Sequence, residues 1–237
     1  MLHGLRSYGA TWEPVAEAIG PQWRTIGLDQ RGRGDSDWDA GADYYTEAYV
    51  RDLEGFVEAM GLKRFVLLGH SMGGSNTMYY AGRGNNAARL RGVIIEDIGP
   101  GSSTSTAGAE RIIAELRKTP ESFATWAEAR AFWRSQRPLV SEAALDSRVR
   151  YSMRERDGRV FWKYDYHGIA KARMNPDLSK FPDLWPGVRA IACPGLVIRG
   201  ELSDFLPVAT AQQMVEANPR LSFAQVAKAS HYVHDDN

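Results

Sequence analysis

The chain has one cysteine, no net charge and no long apolar run, and each shortage removes a class of answers. Cys193 alone cannot form an internal disulfide, which fits a reducing compartment and predicts a cytoplasmic protein. It precedes a proline and a buried-strand pattern, so it reads as a small core residue and not as a catalytic thiol. Lys plus Arg and Asp plus Glu number 29 each, so no global charge draws the chain to nucleic acid or to an anionic membrane. No apolar stretch approaches the roughly 18 residues of a transmembrane helix, and the N-terminus lacks the basic-then-apolar layout of a signal peptide. The five histidines have no paired acidic or cysteine neighbours at metal-ligand spacing. The glycines at 32, 34, 73 and 74 do not form a Gly-x-Gly-x-x-Gly loop between a strand and a helix. Neither a metal nor a dinucleotide cofactor is expected, and the partner these shortages leave is a small molecule.

What is present centres on Phe65-Val66-Leu67-Leu68-Gly69-His70-Ser71-Met72-Gly73-Gly74. Four apolar residues read as a fully buried strand, and they run straight into Gly-x-Ser-x-Gly and then a helix-tolerant stretch from Ser75 to Ala81. Glycine flanks the serine because a Cβ at Gly69 or Gly73 would collide with the neighbouring strand or helix while the serine backbone is strained. The result is an exposed Oγ at a helix N-terminus, where the dipole and free N–H groups favour negative charge.

Around this stretch the pattern alternates between strands and helices. Trp12 to Ile19 is amphipathic, with Thr11 as its expected N-cap and Gly20-Pro21 as its stop. Trp23 to Leu28 alternates as a short strand and breaks into the turn-rich Asp29-Gln30-Arg31-Gly32-Arg33-Gly34-Asp35-Ser36. Tyr44 to Met60 reads as a helix closed by Gly61, and Leu90 to Ile95 as an apolar strand ending in Glu96-Asp97. Strands apolar on both faces and separated by helices imply a mostly parallel sheet with helices on both sides. Gly101 to Gly108 reads as a Ser/Thr/Gly linker. From Ala109 to about Leu184 the pattern is helical, charged and aromatic, without a convincing buried strand, as expected of an inserted unit of roughly 80 residues that leans on the main core. Strands resume at Gly195 to Gly200 and Leu221 to Val226, with a helix from Pro207 to Ala217 between them. The expected division is a core of residues 1–100 and 186–237 and a helical cap of residues 101–185.

A serine needs a base to take its proton, and the base needs a carboxylate to hold its tautomer. Glu201-Leu202-Ser203-Asp204 follows one core strand and Ser230-His231-Tyr232-Val233-His234 follows the last, both at strand ends where open α/β sheets bind ligands. The order Ser, Asp, His is one of the known chain orders for such triads.

The chain resembles the α/β-hydrolase superfamily along nearly its whole length. His3-Gly4 looks like its oxyanion-loop motif, Asp29 to Ser36 like its Asp-x-Arg-Gly-x-Gly-x-Ser turn, and Gly69 to Gly74 like its nucleophile elbow. The helical insertion sits where that family carries its cap. The resemblance implies Ser71 as nucleophile, His231 as general base, Asp204 as orienting acid, and the N–H groups of Leu5 and Met72 as oxyanion hole. Asp97 is held as the alternative acid, because some members draw it from the end of the preceding strand; Glu201 reads as a solvated turn residue. His234 competes with His231, His70 reads as support under the turn, His3 as shaping its loop, and His167 as an ordinary polar residue of the cap.

The resemblance further implies a carboxylic ester hydrolase, acting on an ester or lactone of small to medium apolar size through an acyl-enzyme on Ser71. A carbon–carbon hydrolase of a vinylogous diketone and a non-catalytic ligand-binding member are the alternatives. Trp126, Phe132, Trp133, Tyr151, Phe161, Trp162, Tyr164 and Tyr166 are expected either to line an apolar pocket or to join cap to core. In the family a strand leads into the His-Gly loop and lies between the strands ending near Leu28 and at Leu68, whereas here the loop begins at Met1-Leu2. The sequence is therefore expected to be truncated at both ends, leaving the strand Phe65 to Leu68 without a neighbour on the side facing Trp23 to Leu28.

Overall fold

The computed structural model describes residues 1–138 and 140–236. The first part of the chain supplies α1 (Glu13–Ile19), α2 (Thr46–Ala59), β1 (Phe65–His70), α3 (Met72–Gly82) and β2 (Leu90–Glu96). A long inserted segment follows, with α4 (Ser102–Ser105), α5 (Ala107–Lys118), β3 (Ser122–Phe123), α6 (Trp126–Gln136), α7 (Glu142–Ser152), β4 (Met153–Arg156), β5 (Arg159–Trp162) and α8 (Tyr166–Met174). The chain then returns through α9 (Trp185–Ala190), β6 (Gly195–Gly200), α10 (Val208–Ala217), β7 (Leu221–Val226) and α11 (Val233–Asp236). No helix among the described residues is long and apolar enough to cross a membrane.

The main sheet has the order β1-β2-β6-β7, and every pair in it is parallel. Register sets Gly69 opposite Ile95, Ile95 opposite Val197 and Val197 opposite Phe223. Leu67, Val93, Ile95, Val197 and Leu221 thereby join Val50 and Leu53 of α2, Met78 of α3 and Met214 of α10 in one buried cluster. The predominantly apolar centres of these strands permit this because a sheet covered on both faces has no water-facing side to fill with polar residues; the charged Arg91, Glu96 and Arg199 lie at or near strand ends. Buried Cys193 belongs to the same cluster, as its sequence context predicts.

The gap expected beside β1 is filled at its C-terminal half. Leu2 bridges both Leu28 and Gly69; its N–H donates to Leu68 O at 2.8 Å, His70 N–H donates to Leu2 O at 3.0 Å, and Leu28 N–H donates to Met1 O at 3.1 Å. Among the described residues nothing comparable reaches the other end of β1, and Val66 there is 37% exposed although the sequence predicts a fully buried strand. Trp23 to Leu28 likewise contributes a bridge at Leu28 in place of the expected strand, and Trp23 is 54% exposed.

Other expectations are corrected. Thr11 lies within a 3₁₀ turn, Gly9–Trp12, and does not cap α1; its hydroxyl meets His234 Nε2 at 3.3 Å. The apolar side of α1 stays at the surface, with no buried residue in the helix. The Gly101 to Gly108 stretch is not a plain linker: it forms α4, and Thr106 caps α5 by accepting from Ala109 N–H at 3.2 Å. The inserted segment also holds a three-stranded antiparallel sheet, in the order β3-β5-β4. Its hairpin turns on Asp157-Gly158, both at positive φ (51° and 70°), the conformation of a two-residue turn that suits twisted strands. Trp133, Trp162 and Phe123 pack there edge to face, Trp133 and Trp162 at 5.6 Å and 89°. This second cluster reaches the rest of the chain through Tyr44, Tyr45, Tyr49 and Met72.

Candidate active site

Ser71 stands at the turn from β1 into α3 with φ 52° and ψ −117°, a strained conformation for a residue with a Cβ. Two close approaches hold it there. A Cβ on Gly69 would lie 2.2 Å from Gly73 O, and one on Gly73 would lie 2.3 Å from Leu2 O. Ser71 N–H donates to Glu96 O at 2.9 Å, which fastens the turn to the end of β2.

His231, on the loop after β7, brings its Nε2 to 3.0 Å from Ser71 Oγ. Its Nδ1 lies 2.8 Å from Oδ2 of Asp97, the residue that follows β2. The carboxylate accepts, so Nδ1 carries the proton and Nε2 presents its lone pair to the serine. Burial lowers the His231 pKa and raises that of Asp97. A neutral ring at neutral pH follows from the first shift. Phe205 stacks on the ring at 4.2 Å.

Asp204, the expected acid, is elsewhere. Its carboxylate takes a fork from Arg111 of α5, Nε at 2.7 Å and Nη2 at 3.0 Å, and that guanidinium holds its carboxyl below the usual range against the opposing effect of burial. The reason is the loop after β6. Arg199 donates to the carbonyls of Gly200, Glu201, Ser203 and Leu206, curling the loop under its own guanidinium. Asp97 fills the place beneath His231 instead, bent there by its positive φ of 52° and held by Gly200 N–H at 2.9 Å and by Ser203 Oγ. Glu201 is exposed, and accepts from Lys228 N–H.

The other histidines take supporting positions. His70 Nε2 lies 2.8 Å from His231 O, so it donates there and leaves Nδ1 buried and without a partner among the described residues. His234 does not meet Ser71; its Nδ1 and backbone N–H both contact Glu96 Oε1, at 2.7 and 3.0 Å. Burial opposes the Glu96 charge, yet His234 and His70 outweigh it and hold this carboxyl at about 2. Donor atoms of His70, Glu96 and His234 lie within 4.8 Å of one another, a grouping that sequence spacing hides. They are the described residues that could hold a metal, although the Glu96–His234 pair already accounts for two of them. His167 is exposed against Glu121.

Leu5 and Met72 line the cavity together with Ser71 and His231. Met72 begins α3, so its N–H belongs to the first turn, whose donors have no partner within the helix. The Gly4-Leu5 turn is held by residues that sequence reasoning passed over. Gln30 N–H donates to His3 Nε2 at 3.1 Å, so the His3 proton sits on Nδ1 and is donated to Gly4 O at 2.8 Å. Gln30 Nε2 donates to His3 O, Asn76 Nδ2 to Gln30 Oε1, and buried Arg33 Nε to Leu5 O. Their only sequence signal was membership of the Asp29 to Ser36 turn and of the helix after Ser71.

The cavity over Ser71 encloses about 580 Å³. Of the eight aromatics expected either to line it or to join cap to core, Trp133 lines it; Trp162 and Tyr164 belong with Trp133 to the second buried cluster, and Phe132 and Tyr166 pack against that cluster. The further aromatic wall comes from Phe181, Trp185, Phe205 and Tyr232. Ile112, Ile113 and Leu184 add an aliphatic side. Arg6, Arg137, Arg148 and Arg173 face the same space.

A parallel sheet with a serine at its strand-to-helix turn and a histidine and carboxylate aligned behind it defines a hydrolase architecture. The chain belongs to the alpha/beta hydrolase fold family, whose model matches residues 1–237. It is 26% identical over 234 residues to 2-(acetamidomethylene)succinate hydrolase of Mesorhizobium japonicum, covering 99% of this chain and 81% of that one. It is 28% identical over 241 residues to the 3-hydroxybutyrate-oligomer hydrolase of Cupriavidus necator, covering 97% and 80%. The crystal structure of E-2-(acetamidomethylene)succinate hydrolase superposes with a TM-score of 0.85 at 24% identity, over 100% of this chain and 85% of that one.

Proposed function

We propose that this chain hydrolyses a carboxylic ester or lactone of a small to medium substrate through an acyl-enzyme on Ser71. The single observation that carries the reading is the continuous contact from Ser71 Oγ to His231 to Asp97 at the floor of the cavity. Ser71 Oγ attacks the acyl carbonyl and passes its proton to His231 Nε2, while Asp97 holds the opposite nitrogen. The N–H groups of Leu5 and Met72 receive the developing oxyanion, His231 returns the proton to the leaving oxygen, and a water activated by the same ring releases the acid. In this reading residues 101–185 act as a cap that closes the cavity. The alignment of all three groups disfavours a purely ligand-holding role.

Hydrolysis of an amide by the same steps is the second reading. The Mesorhizobium relative favours it, since its name carries an acetamide and the similarity spans 99% of this chain. A fluorophosphonate probe tests the shared step: intact mass should show one adduct, on Ser71, lost in Ser71→Ala. Folded protein that takes up no adduct would overturn both readings, and hydrolysis rates on p-nitrophenyl esters, lactones and anilides then separate one from the other.

A further inference from the structure

We infer that the cavity selects substrates bearing a carboxylate a few carbons from the scissile carbonyl, and that Arg137 is the residue that receives it. The inference rests on the acyl-transfer reading above for the position of the scissile bond, but not for the existence of the anion site.

Four guanidiniums surround Tyr232, the residue after His231, and three of them have acids. Arg6 pairs with Glu115; Arg111 pairs with Glu115 at 2.7 Å and with Asp204 at 2.7 Å; Arg148 pairs with Asp235. Arg137 has none among the described residues. Among the described residues its Nη1 reaches the carbonyl of the preceding residue, Gln136, at 3.0 Å, and its Nε is shielded from solvent without a partner. The guanidinium lies over the Tyr232 ring, 3.4 Å from the centroid, and that ring is 5.1 Å from the ring of His231. The three carboxylates Glu115, Asp204 and Asp235 thus face four permanent cations, leaving one positive charge uncompensated at the wall of the cavity. Arg173 of α8 adds another cation to the same space, and among the described residues its hydrogen bond goes to Tyr44 O at 3.4 Å, not to a carboxylate.

A shielded cation without a counter-ion is costly, because desolvation is uncompensated. The cost is met when a ligand supplies the anion, and a carboxylate offers two oxygens that match the guanidinium fork. Burial accordingly lowers the Arg137 pKa, and Arg137 and Arg6 draw the Tyr232 hydroxyl below its ordinary value against the opposing effect of burial. The short path from Arg137 through Tyr232 to His231 sets the reach: an acyl chain of a few carbons ending in a carboxylate spans it. The aliphatic side of the cavity then serves the methylenes between the two ends.

The test compares mono-p-nitrophenyl glutarate with p-nitrophenyl pentanoate, matched in length and differing in charge, after subtraction of uncatalysed hydrolysis. The wild-type protein should favour the glutarate ester at least tenfold in kcat/KM. Arg137→Met should cut that ratio at least tenfold, chiefly through KM, and Arg137→Lys should retain part of it; melting temperatures check that both variants fold. A wild-type ratio of one or less, or a ratio untouched by Arg137→Met, overturns the inference. Calorimetric titration of Ser71→Ala with glutarate supplies a readout independent of turnover. Binding that weakens at least tenfold when Arg137→Met is added supports the anion site even if neither ester is cleaved and no fluorophosphonate adduct forms, an outcome that would sink the acyl-transfer reading alone. Absence of glutarate binding overturns the anion site.

Discussion

Asp97 is fully buried and accepts from three groups at once: Gly200 N–H, Ser203 Oγ and His231 Nδ1. Burial pushes its pKa up to about 7, and the donors from Ser203 and Gly200 pull the other way and limit the rise. Asp204 has the opposite setting, about one-third exposed and committed to Arg111. The two therefore separate by substitution. Asp97→Asn should lower kcat by about 10³- to 10⁴-fold, since an amide cannot hold the productive tautomer, whereas Asp204→Asn should cost about tenfold or less, in keeping with the small worth of an exposed ion pair. The reverse ranking in ester hydrolysis would return Asp204 to the acid position. Sequence alone brings both residues to the end of a core strand and cannot choose between them. What decides is the positive φ at Asp97 and the Arg111 fork from the inserted segment, and neither a backbone angle nor a contact across 93 residues is written in local pattern.

At the scale of elements, the strand, turn and helix around Ser71 were legible because every local signal agreed: an apolar run, two glycines where backbone approaches closely, and a helix former after them. Those glycines make a measurable claim. Gly73→Ala would set a Cβ 2.3 Å from Leu2 O, and Leu2 cannot retreat without breaking its bonds to Leu68 and His70. A loss of about 1–3 kcal/mol is expected, or roughly 2–4 °C in melting temperature per kcal/mol for a chain of this size. Gly55 within α2 has nothing within 4 Å of an added Cβ. Gly55→Ala should stabilise by about 0.5–1 kcal/mol through backbone entropy and helix propensity. Thermal and urea melts of the two variants check the contrast, and similar losses in both would refute it. The inserted sheet escaped notice for a different reason. Asp157-Gly158 is a strong hairpin signal, but Arg154, Glu155, Arg156 and Arg159 flank it, and β4 is exposed from Arg154 onward, so the usual apolar alternation is missing. Only Val160 and Trp162 carry the buried face of β5.

Over the whole molecule, the order of strands and helices in the main sheet could be read from the sequence, but the closeness of its ionisable groups could not. Three imidazoles, His3, His70 and His231, are buried next to the same turn. Burial brings His3 down to about 4 and holds His70 and His231 below their ordinary 6.5. In the unfolded chain each takes up a proton as pH falls through 6.5, while in the folded chain each stays neutral until well below that. The unfolded state thus binds more protons in this window, and stability falls with pH by about 1.4 kcal/mol per unit for each fully differential histidine. Asp97 acts in the opposite sense: raised above its ordinary 3.8, it binds a proton in the folded chain first and offsets about one of the three. Two uncompensated histidines remain, enough over two pH units to remove on the order of 5 kcal/mol, the lower end of a typical domain's stability. Glu96, held at about 2, adds a second loss only below 4.5. Urea melts from pH 7 to 4.5 should therefore show a midpoint that falls steadily from about 6.5 downward, before ordinary carboxylates titrate. His3→Asn, which keeps a polar side chain next to Gln30 and Gly4, should lower stability at pH 7 yet flatten the slope by about one proton. A midpoint constant from pH 7 to 5 would mean that these rings are protonated in the folded protein, contrary to the burial that surrounds them.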